Sequence, residues 1–205
     1  MNYIFDFDGT LADSFAAMLA VYNKNIRGTD NPLTPDEIQR LRGMTSRKAL
    51  RALGIRWWQL PKLLMKGLPD FKALIPTLGS FEHLPETLKI MHARGDKLFI
   101  VTSNTRDSVD KFLDLHEIPN YFEDIETGAG LFKKAKYIRK LMKRNGLVRK
   151  QTVYVGDETR DIQAARRAFI KIVSVTWGFN TRAILKKQRP SFLIDSPKEL
   201  LKIEL

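Results

Sequence analysis

The sequence contains no cysteine and only three histidines among its 205 residues. Disulfide bonds and thiolate metal sites are therefore excluded, and any metal ion would have to be held mainly by oxygen ligands. Oxygen ligands suit hard cations such as Mg²⁺. Glycine and proline are also scarce, at 12 and 9 residues, which excludes a collagen-like or low-complexity chain.

Long apolar runs are absent as well. No stretch approaches the roughly eighteen consecutive apolar residues that a membrane span needs, and the N-terminus, MNYIFDFDGT, has no basic segment followed by an apolar one. We therefore expect a cytoplasmic protein with no membrane partner. With 43% hydrophobic and 28% charged residues, the composition is that of a globular protein, and the length allows a core with a small accessory domain.

Positive charge exceeds negative charge, with 35 lysines and arginines against 23 acidic residues. Residues 132–150 hold nine of the basic residues and no acid, a run that could bind nucleic acid or draw in an anionic substrate. Ala135, Ile138, Leu141 and Met142 recur within it at helical spacing. We therefore favour a helix with one buried stripe and a solvated basic face, and expect no nucleic-acid partner.

Short apolar runs alternate with helical patterns through most of the chain. Five runs predict buried strands, namely Tyr3–Phe7, Leu98–Thr102, Thr152–Val155, Ile172–Val175 and Phe192–Ile194. Five segments have apolar residues three to four positions apart and predict helices, namely Pro85–Ala93, Arg106–Leu115, Ala135–Arg144, Glu158–Ala168 and Arg182–Lys187. The alternation predicts an α/β fold with a doubly wound parallel sheet.

Residues 15–82 break this alternation, because they contain successive helical patterns and no convincing strand. We interpret them as an inserted, all-helical domain, and residues 1–14 and 83–205 as the core. One helix of this inserted domain should begin at residues 34–37, TPDE, which combine capping-box spacing with proline at the first helical position. The next should begin near Thr45 or Ser46. Large apolar residues at helical spacing are the expected packing surface of the inserted domain: Trp57, Trp58, Leu60, Leu63, Leu64 and Phe71.

Polar residues follow three of the predicted strands at the point where each strand ends. Residues 6–10 follow the first strand, 102–104 the second and 156–161 the third. Ligands bind outside the carboxyl ends of parallel strands, so these segments should meet. They bring together four carboxylates, which repel one another unless a cation compensates them: Asp6, Asp8, Asp157 and Asp161. A magnesium site is therefore predicted, although DxDGT alone could form an Asx turn and TSN alone a helix cap.

Four motifs, DFDGTLADS, VTSN, FKKAK and GDETRD, resemble in this order the signature motifs of the haloacid dehalogenase superfamily. The resemblance covers essentially the whole chain. The later segment, VTWGFNTRAILKKQRPSFLIDSPKELL, is similar to the tail of phosphoglycolate-phosphatase-like members, whose helical cap lies between the first and second motifs. The resemblance implies a Rossmann-like core and a Mg²⁺-dependent phosphatase that hydrolyses a small phosphate monoester resembling phosphoglycolate.

The resemblance also implies a role for each residue of the motifs that takes part in phosphoryl transfer. Asp6 would be the nucleophile, and Asp8 the general acid and base that distinguishes phosphatases from dehalogenase relatives. Ser103 would bind a phosphoryl oxygen. Lys134 would neutralise the phosphoryl oxygens and Asp6, and it is preferred over its neighbour Lys133 because it aligns with the lysine of the family.

The remaining assignments concern the metal and the substrate. Mg²⁺ would be held by the side chains of Asp6 and Asp157 and the backbone carbonyl of Asp8. Asp161 would act through a water molecule or orient the ligands of the metal. The expected substrate contacts are Asn104, Thr10 and Arg47; the last lies in a loop, RGMTSR, that resembles the specificity loop of capped relatives. Arg47 could pair with a carboxylate or a second phosphate, or be an ordinary surface arginine. Glu158 could belong to the site or be a solvated residue at a helix start.

Several activities share this core, so the resemblance leaves open a nucleotidase, a pyrophosphatase, a sugar-phosphate phosphatase or a phosphoglucomutase-like transferase. A non-catalytic protein that binds nucleic acid through its basic face is a further alternative. The partner that we expect is a small phosphorylated substrate, and the protein should be a monomer or a homodimer.

Overall fold

The chain forms a six-stranded parallel sheet and a separate two-stranded ribbon in this computed structural model, which describes residues 1–205 apart from the side chains of Trp57, Leu64, Pro119, Leu131 and Phe132. The strands are β1 (Asn2–Phe5), β2 (Ala12–Asp13), β3 (Gly79–Ser80), β4 (Lys97–Val101), β5 (Phe122–Glu126), β6 (Thr152–Gly156), β7 (Lys171–Val175) and β8 (Phe192–Ile194). The α-helices are α1 (Phe15–Tyr22), α2 (Pro35–Arg42), α3 (Ser46–Ala52), α4 (Leu60–Leu74), α5 (Leu84–Ala93), α6 (Arg106–Leu115), α7 (Gly130–Arg144), α8 (Thr159–Ala168) and α9 (Arg182–Lys187).

The strand order of the main sheet is β5-β4-β1-β6-β7-β8, and every neighbouring pair is parallel. The carboxyl ends of all six strands therefore lie along one edge of the sheet. Strand β1 is central, with Asn2 opposite Lys97 of β4 on one side and Thr152 of β6 on the other. Residues that follow β1, β4 and β6 are consequently neighbours. The predicted doubly wound α/β fold is confirmed.

The five strands and five helices predicted for the core are all present. Their ends agree to within one or two residues, except that α7 begins at Gly130 rather than at Ala135, so Lys134 lies within this helix. Helices cover both faces of the sheet because successive side chains of a strand point to opposite faces. Tyr3 and Phe5 of β1 join the apolar cluster that includes α5 and α6, whereas Ile4 joins the cluster that includes α7 and α8. None of the described helices is long and apolar enough to cross a membrane.

Strand β5 was not predicted, because its sequence, FEDIE, lacks an apolar run. It lies at the edge of the sheet, where only one neighbour, β4, pairs with it. Its acids have basic partners: Arg144 of α7 contacts Asp124 at 2.6 Å and Glu126 at 2.8 Å, and Lys140 contacts Glu126 at 2.7 Å. Part of the basic run of residues 132–150 therefore neutralises this strand. The apolar stripe predicted within that run is buried.

Residues 15–78 form α1 to α4 with short helical turns between them, and this described backbone contains no strand. The region predicted without strands extended to residue 82, however, and β3 at residues 79–80 lies inside it. The segment is joined to the sheet by the ribbon, in which β2 pairs antiparallel with β3. Both predicted helix starts are confirmed. Thr34 and Glu37 cap α2 reciprocally, with Pro35 at its first position, and α3 begins at Ser46.

The predicted packing surface of this segment is confirmed only in part. Leu60 and Phe71 are buried and Leu63 is half-buried. Trp58, however, is 56% exposed and lies against the guanidinium of Arg56, so its assignment to the packing surface is wrong. The side chains of Trp57 and Leu64 lie outside the described residues. The position of Trp58 in a short helical turn before α4, rather than on the helix itself, removes it from the buried stripe.

Candidate active site

Three aspartates meet at the carboxyl edge of the sheet. Asp6 follows β1, whereas Asp157 and Asp161 follow β6 and lie before and within α8. All three are buried, at 3%, 0% and 0% exposure, and one carboxylate oxygen of each lies within 4.8 Å of the others. The sequence prediction that these residues converge is therefore matched by the geometry.

A single lysine reaches into this cluster. The Nζ of Lys134, from the second turn of α7, lies 2.5 Å from Asp6 Oδ2 and 2.6 Å from Asp161 Oδ1. Its ammonium also lies over the ring of Tyr154, 5.6 Å from the centroid. The adjacent Lys133 is exposed, because successive positions on a helix point in different directions. Of the two lysines that the sequence leaves in competition, only Lys134 contacts the aspartates in the described structure.

Backbone and hydroxyl groups hold Asp157 in place. Its Oδ1 accepts a hydrogen bond from Thr10 Oγ1 at 2.9 Å, and its Oδ2 accepts one from the Phe179 amide at 2.7 Å. Two glycines leave the space for this carboxylate. A Cβ on Gly9, whose φ is +72°, would lie 2.3 Å from Asp157 Oδ2, and a Cβ on Gly178 would lie 2.2 Å from the carbonyl oxygen of Gly9. Side chains at either glycine would displace Asp157.

The prediction that Thr10 contacts the substrate does not match the environment of its side chain. The residue is 1% exposed, and its hydroxyl is already donated to Asp157. We assign its side chain to the positioning of that carboxylate.

Asp8 and the residues after β4 form the other side of the site. Asn104 is buried, and its Nδ2 donates to Asp8 Oδ2 at 3.0 Å. The second oxygen of this carboxylate, Oδ1, is buried and has no hydrogen-bond partner among the described residues. Removal from water raises the pKa of Asp8 to about 6, against smaller opposing effects of the positive charges of Arg160 and Lys134. Ser103, at the same strand end, is exposed and accessible to a ligand.

The carboxylate cluster carries more negative charge than its surroundings balance. Burial raises the pKa of Asp6 to about 7, even though Lys134 opposes the shift. The pKa of Asp157 is raised well above its usual range by burial and then by the charges of Glu158, Asp161 and Asp6. Buried, hard oxygen donors with uncompensated charge suit a divalent cation, which would keep the aspartates ionised at neutral pH. The residues present therefore fit a metal ion.

Asp161 and Glu158 also shape the start of α8. Asp161 Oδ2 accepts from the Glu158 amide at 2.9 Å, while its other oxygen contacts Lys134. Gly156 allows this approach, since a Cβ there would lie 2.7 Å from Asp161 Cγ. Glu158 is not a solvated residue: its side chain is 12% exposed and accepts hydrogen bonds from Ser46 at 3.0 Å and Arg160 at 2.7 Å.

Arg47 follows Ser46 on α3 and is exposed. It lines a cleft together with Lys134 and Arg160, so the structure brings it close to the carboxylate site. Its predicted position beside the site is thus supported, and its role stays a prediction.

Sequence reasoning assigned no role to two residues that shape the site, Arg160 and Asn180. The Asn180 side chain accepts from the Thr159 amide at 2.9 Å and donates to the carbonyls of Arg42 and Met44, at 3.0 and 3.1 Å. It therefore joins the loop between α2 and α3 to the start of α8. Asn180 could have been found from the sequence, because it follows the carboxyl end of the predicted strand Ile172–Val175, just as the motif residues follow the ends of their strands.

Comparisons with known proteins agree with this geometry. The family model for haloacid dehalogenase-like hydrolases matches residues 3–175. A phosphoglycolate phosphatase from Synechococcus elongatus is 34% identical over 200 residues, which cover 97% of this chain and 94% of that protein. One from Agrobacterium fabrum is 29% identical over 205 residues, which cover 94% and 87%.

Solved structures resemble the fold. A haloacid dehalogenase-like family hydrolase from Streptococcus pneumoniae superimposes with a TM-score of 0.81 at 22% identity, covering 98% of this chain and 96% of that one. Because the family model spans most of the chain and the motif residues meet at one edge of the sheet, we conclude that this chain belongs to the haloacid dehalogenase-like hydrolases.

Proposed function

We propose that this chain, a phosphatase, hydrolyses a small phosphate monoester by transferring the phosphoryl group to Asp6. The observation that carries the proposal is the contact of Asp6 with Lys134 inside a buried cluster of carboxylates. A carboxylate at this place can attack phosphorus, and the lysine can neutralise charge on the phosphoryl oxygens. Ser103, exposed at the next strand end, is available to donate a hydrogen bond to one of those oxygens.

The reaction proceeds in two steps. Asp6 attacks phosphorus through a carboxylate oxygen, the bond from phosphorus to the leaving oxygen breaks, and Asp8 supplies the proton that the leaving oxygen takes up. Water then attacks the phosphoryl group on Asp6 and gives its proton to Asp8, which releases inorganic phosphate and restores both residues. The raised pKa of Asp8 suits a group that must both give and take a proton near neutral pH.

The metal in this proposal is Mg²⁺, held by Asp6, Asp157 and the backbone carbonyl of Asp8, with Asp161 orienting the surrounding groups. When bound, it supplies positive charge that offsets the negative charge of the phosphoryl oxygens. The support for a metal is the buried triad of carboxylates, and the lack of cysteine excludes thiolate ligands.

The proposed substrate is phosphoglycolate or a similar small phosphorylated acid. Two relatives that match almost the whole chain are phosphoglycolate phosphatases, and the cleft beside the site is lined by basic residues. We further propose that residues 15–82 act as a cap that selects the substrate and excludes water, while residues 1–14 and 83–205 perform the chemistry.

Phosphate release from a panel of phosphoesters tests the proposal. The panel comprises phosphoglycolate, sugar phosphates, nucleotides, pyrophosphate and an aryl phosphate, each with Mg²⁺ and with a chelator. We expect Mg²⁺-dependent release with the highest kcat/KM for phosphoglycolate. A peak on a nucleotide, pyrophosphate or a sugar phosphate would contradict the proposed substrate, and no release by folded, Mg²⁺-loaded protein would contradict the proposed reaction.

Replacement of Asp8 by asparagine should lower kcat/KM by about 10²- to 10⁴-fold, the usual contribution of general acid catalysis. The loss should be larger for an alkyl phosphate than for an aryl phosphate, because an acidic aryl leaving group departs without a proton. Steady-state kinetics with both substrates would measure the difference. Equal losses on the two substrates would argue against Asp8 as the proton donor.

A further inference from the structure

Arg160 is held rigidly beside the proposed site but is not used by the proposed reaction. Its Nε donates to Glu158 Oε1 at 2.7 Å, and its Nη2 pairs with the same carboxylate oxygen. The third nitrogen, Nη1, is buried and has no hydrogen-bond partner among the described residues. A buried donor without a partner is costly in a protein, and a ligand that accepts from it would remove that cost.

Basic residues line the cleft beside Arg160. The cleft that Arg160 lines is also lined by Arg47, Lys134 and Arg167, and its described lining includes no acidic residue. Lys134 at the same time contacts Asp6, the proposed phosphoryl acceptor. The cleft thus lies next to the place where the phosphoryl group would be bound, and its charge favours a second anionic group on the same molecule.

The position of Arg160 depends on both parts of the chain. Glu158 holds Arg160 with one oxygen and accepts from Ser46 Oγ with the other, at 3.0 Å. The amide of Ser46 donates to Thr159 Oγ1 at 3.3 Å. Since Ser46 begins α3, and Arg47 is the next residue, the contact that orients Arg160 also brings Arg47 to the cleft.

We propose that Arg160 binds a second anionic group of the substrate, so that the enzyme selects phosphate monoesters that also carry a carboxylate or another phosphate. Glu158 and Ser46 act as positioning residues for this guanidinium. The inference rests on the proposed function, because it places the phosphoryl group at Asp6. It adds the residue that distinguishes a doubly anionic substrate from a simple phosphoester.

Matched pairs of substrates provide the test. Phosphoglycolate is compared with ethyl phosphate, which has the same two-carbon chain but no carboxylate, and a sugar bisphosphate is compared with the corresponding monophosphate. The measured quantity is the ratio of kcat/KM within each pair. For the wild type, at least one ratio should exceed about tenfold, and the pair that shows it identifies the second anion as a carboxylate or a phosphate.

Substitution of Arg160 by glutamine should lower that ratio by at least about tenfold, mainly by raising KM for the doubly anionic substrate. Arg160→Lys keeps the positive charge but lacks the planar guanidinium group, so it should restore part of the preference for the doubly anionic substrate. Arg51→Gln, an exposed position on the same helix as Arg47, serves as the control and should leave the ratio unchanged. Thermal unfolding of each variant checks that it is folded.

Ratios near one for the wild type, or an unchanged ratio in Arg160→Gln, would overturn the inference while leaving the proposed reaction intact. An equal loss of kcat/KM on both members of a pair would indicate a structural role for Arg160 and would also overturn the inference. If the wild type releases phosphate from neither member of either pair, nor from an aryl phosphate, the proposed function itself has failed.

Discussion

Phosphate release should fall by about 10⁴-fold or more when Asp6 is replaced by asparagine, because the amide cannot form the phosphorylated intermediate that carries the reaction. The fold should survive this change. Asp6 is 3% exposed, and burial already raises its pKa to about 7, so a neutral side chain removes an unfavourable buried charge. Lys134 retains Asp161 as a partner at 2.6 Å. Thermal unfolding in the absence of metal should therefore show a midpoint no lower than that of the wild type.

The control for Asp6→Asn is Asp13→Asn, which removes one carboxylate from an exposed position on β2. This variant should keep wild-type kinetics. Turnover by Asp6→Asn at the wild-type rate, in protein shown by mass spectrometry to be free of deamidated or wild-type chain, would rule out Asp6 as the nucleophile.

Lys134→Met should reduce both activity and stability. Loss of its charge removes a group that stabilises the transferring phosphoryl oxygens, which should cost about 10²- to 10³-fold in kcat. In metal-free protein it also leaves Asp6 and Asp161 buried without their cation. Removal of one partner from a buried ion pair typically lowers the free energy of unfolding by ~3–5 kcal/mol. Added Mg²⁺ should recover part of this loss, because it supplies positive charge to the same carboxylates.

Lys133→Met is the matched control, since it makes the same chemical change one residue away on the same helix. Lys133 is exposed, so its replacement should alter the free energy of unfolding by no more than about 0.5 kcal/mol and leave kcat near the wild-type value. Denaturant unfolding and steady-state kinetics of the two variants would measure both effects. A large loss in Lys133→Met together with a small one in Lys134→Met would reverse the assignment of the lysine.

Sequence reasoning predicted most of the core because its elements carry strong local signals. The five predicted strands are short, apolar and bounded by turns, and the helix start at residues 34–37 has a capping box that acts locally. Strand β5 was not predicted, because its three acidic residues interrupt the apolar pattern that marks a buried strand. These acids are tolerated only because β5 is an edge strand beside the basic residues of α7.

Individual side chains of the site were harder to predict. Thr10 belongs to a motif that suggests a substrate contact, but its hydroxyl is buried against Asp157. The surroundings of Arg160 could not be predicted either, because its partner Glu158 is itself bound by Ser46, a residue more than a hundred positions away. Trp58 was assigned to a packed face, yet it is exposed because it lies in the turn before α4.

The sequence by itself determined the alternation of strands and helices, the family, and the four aspartates at strand ends, because apolar periodicity and motif order are properties of neighbouring residues. Only the tertiary structure decided that Lys134 contacts both Asp6 and Asp161, that Glu158 contacts Ser46, and that Asn180 joins the helical segment to α8. These contacts depend on the rotation of each helix about its axis and on distances between residues far apart in the chain. Neither quantity is encoded in a local pattern of residue types, since both are set when the helices pack onto the sheet.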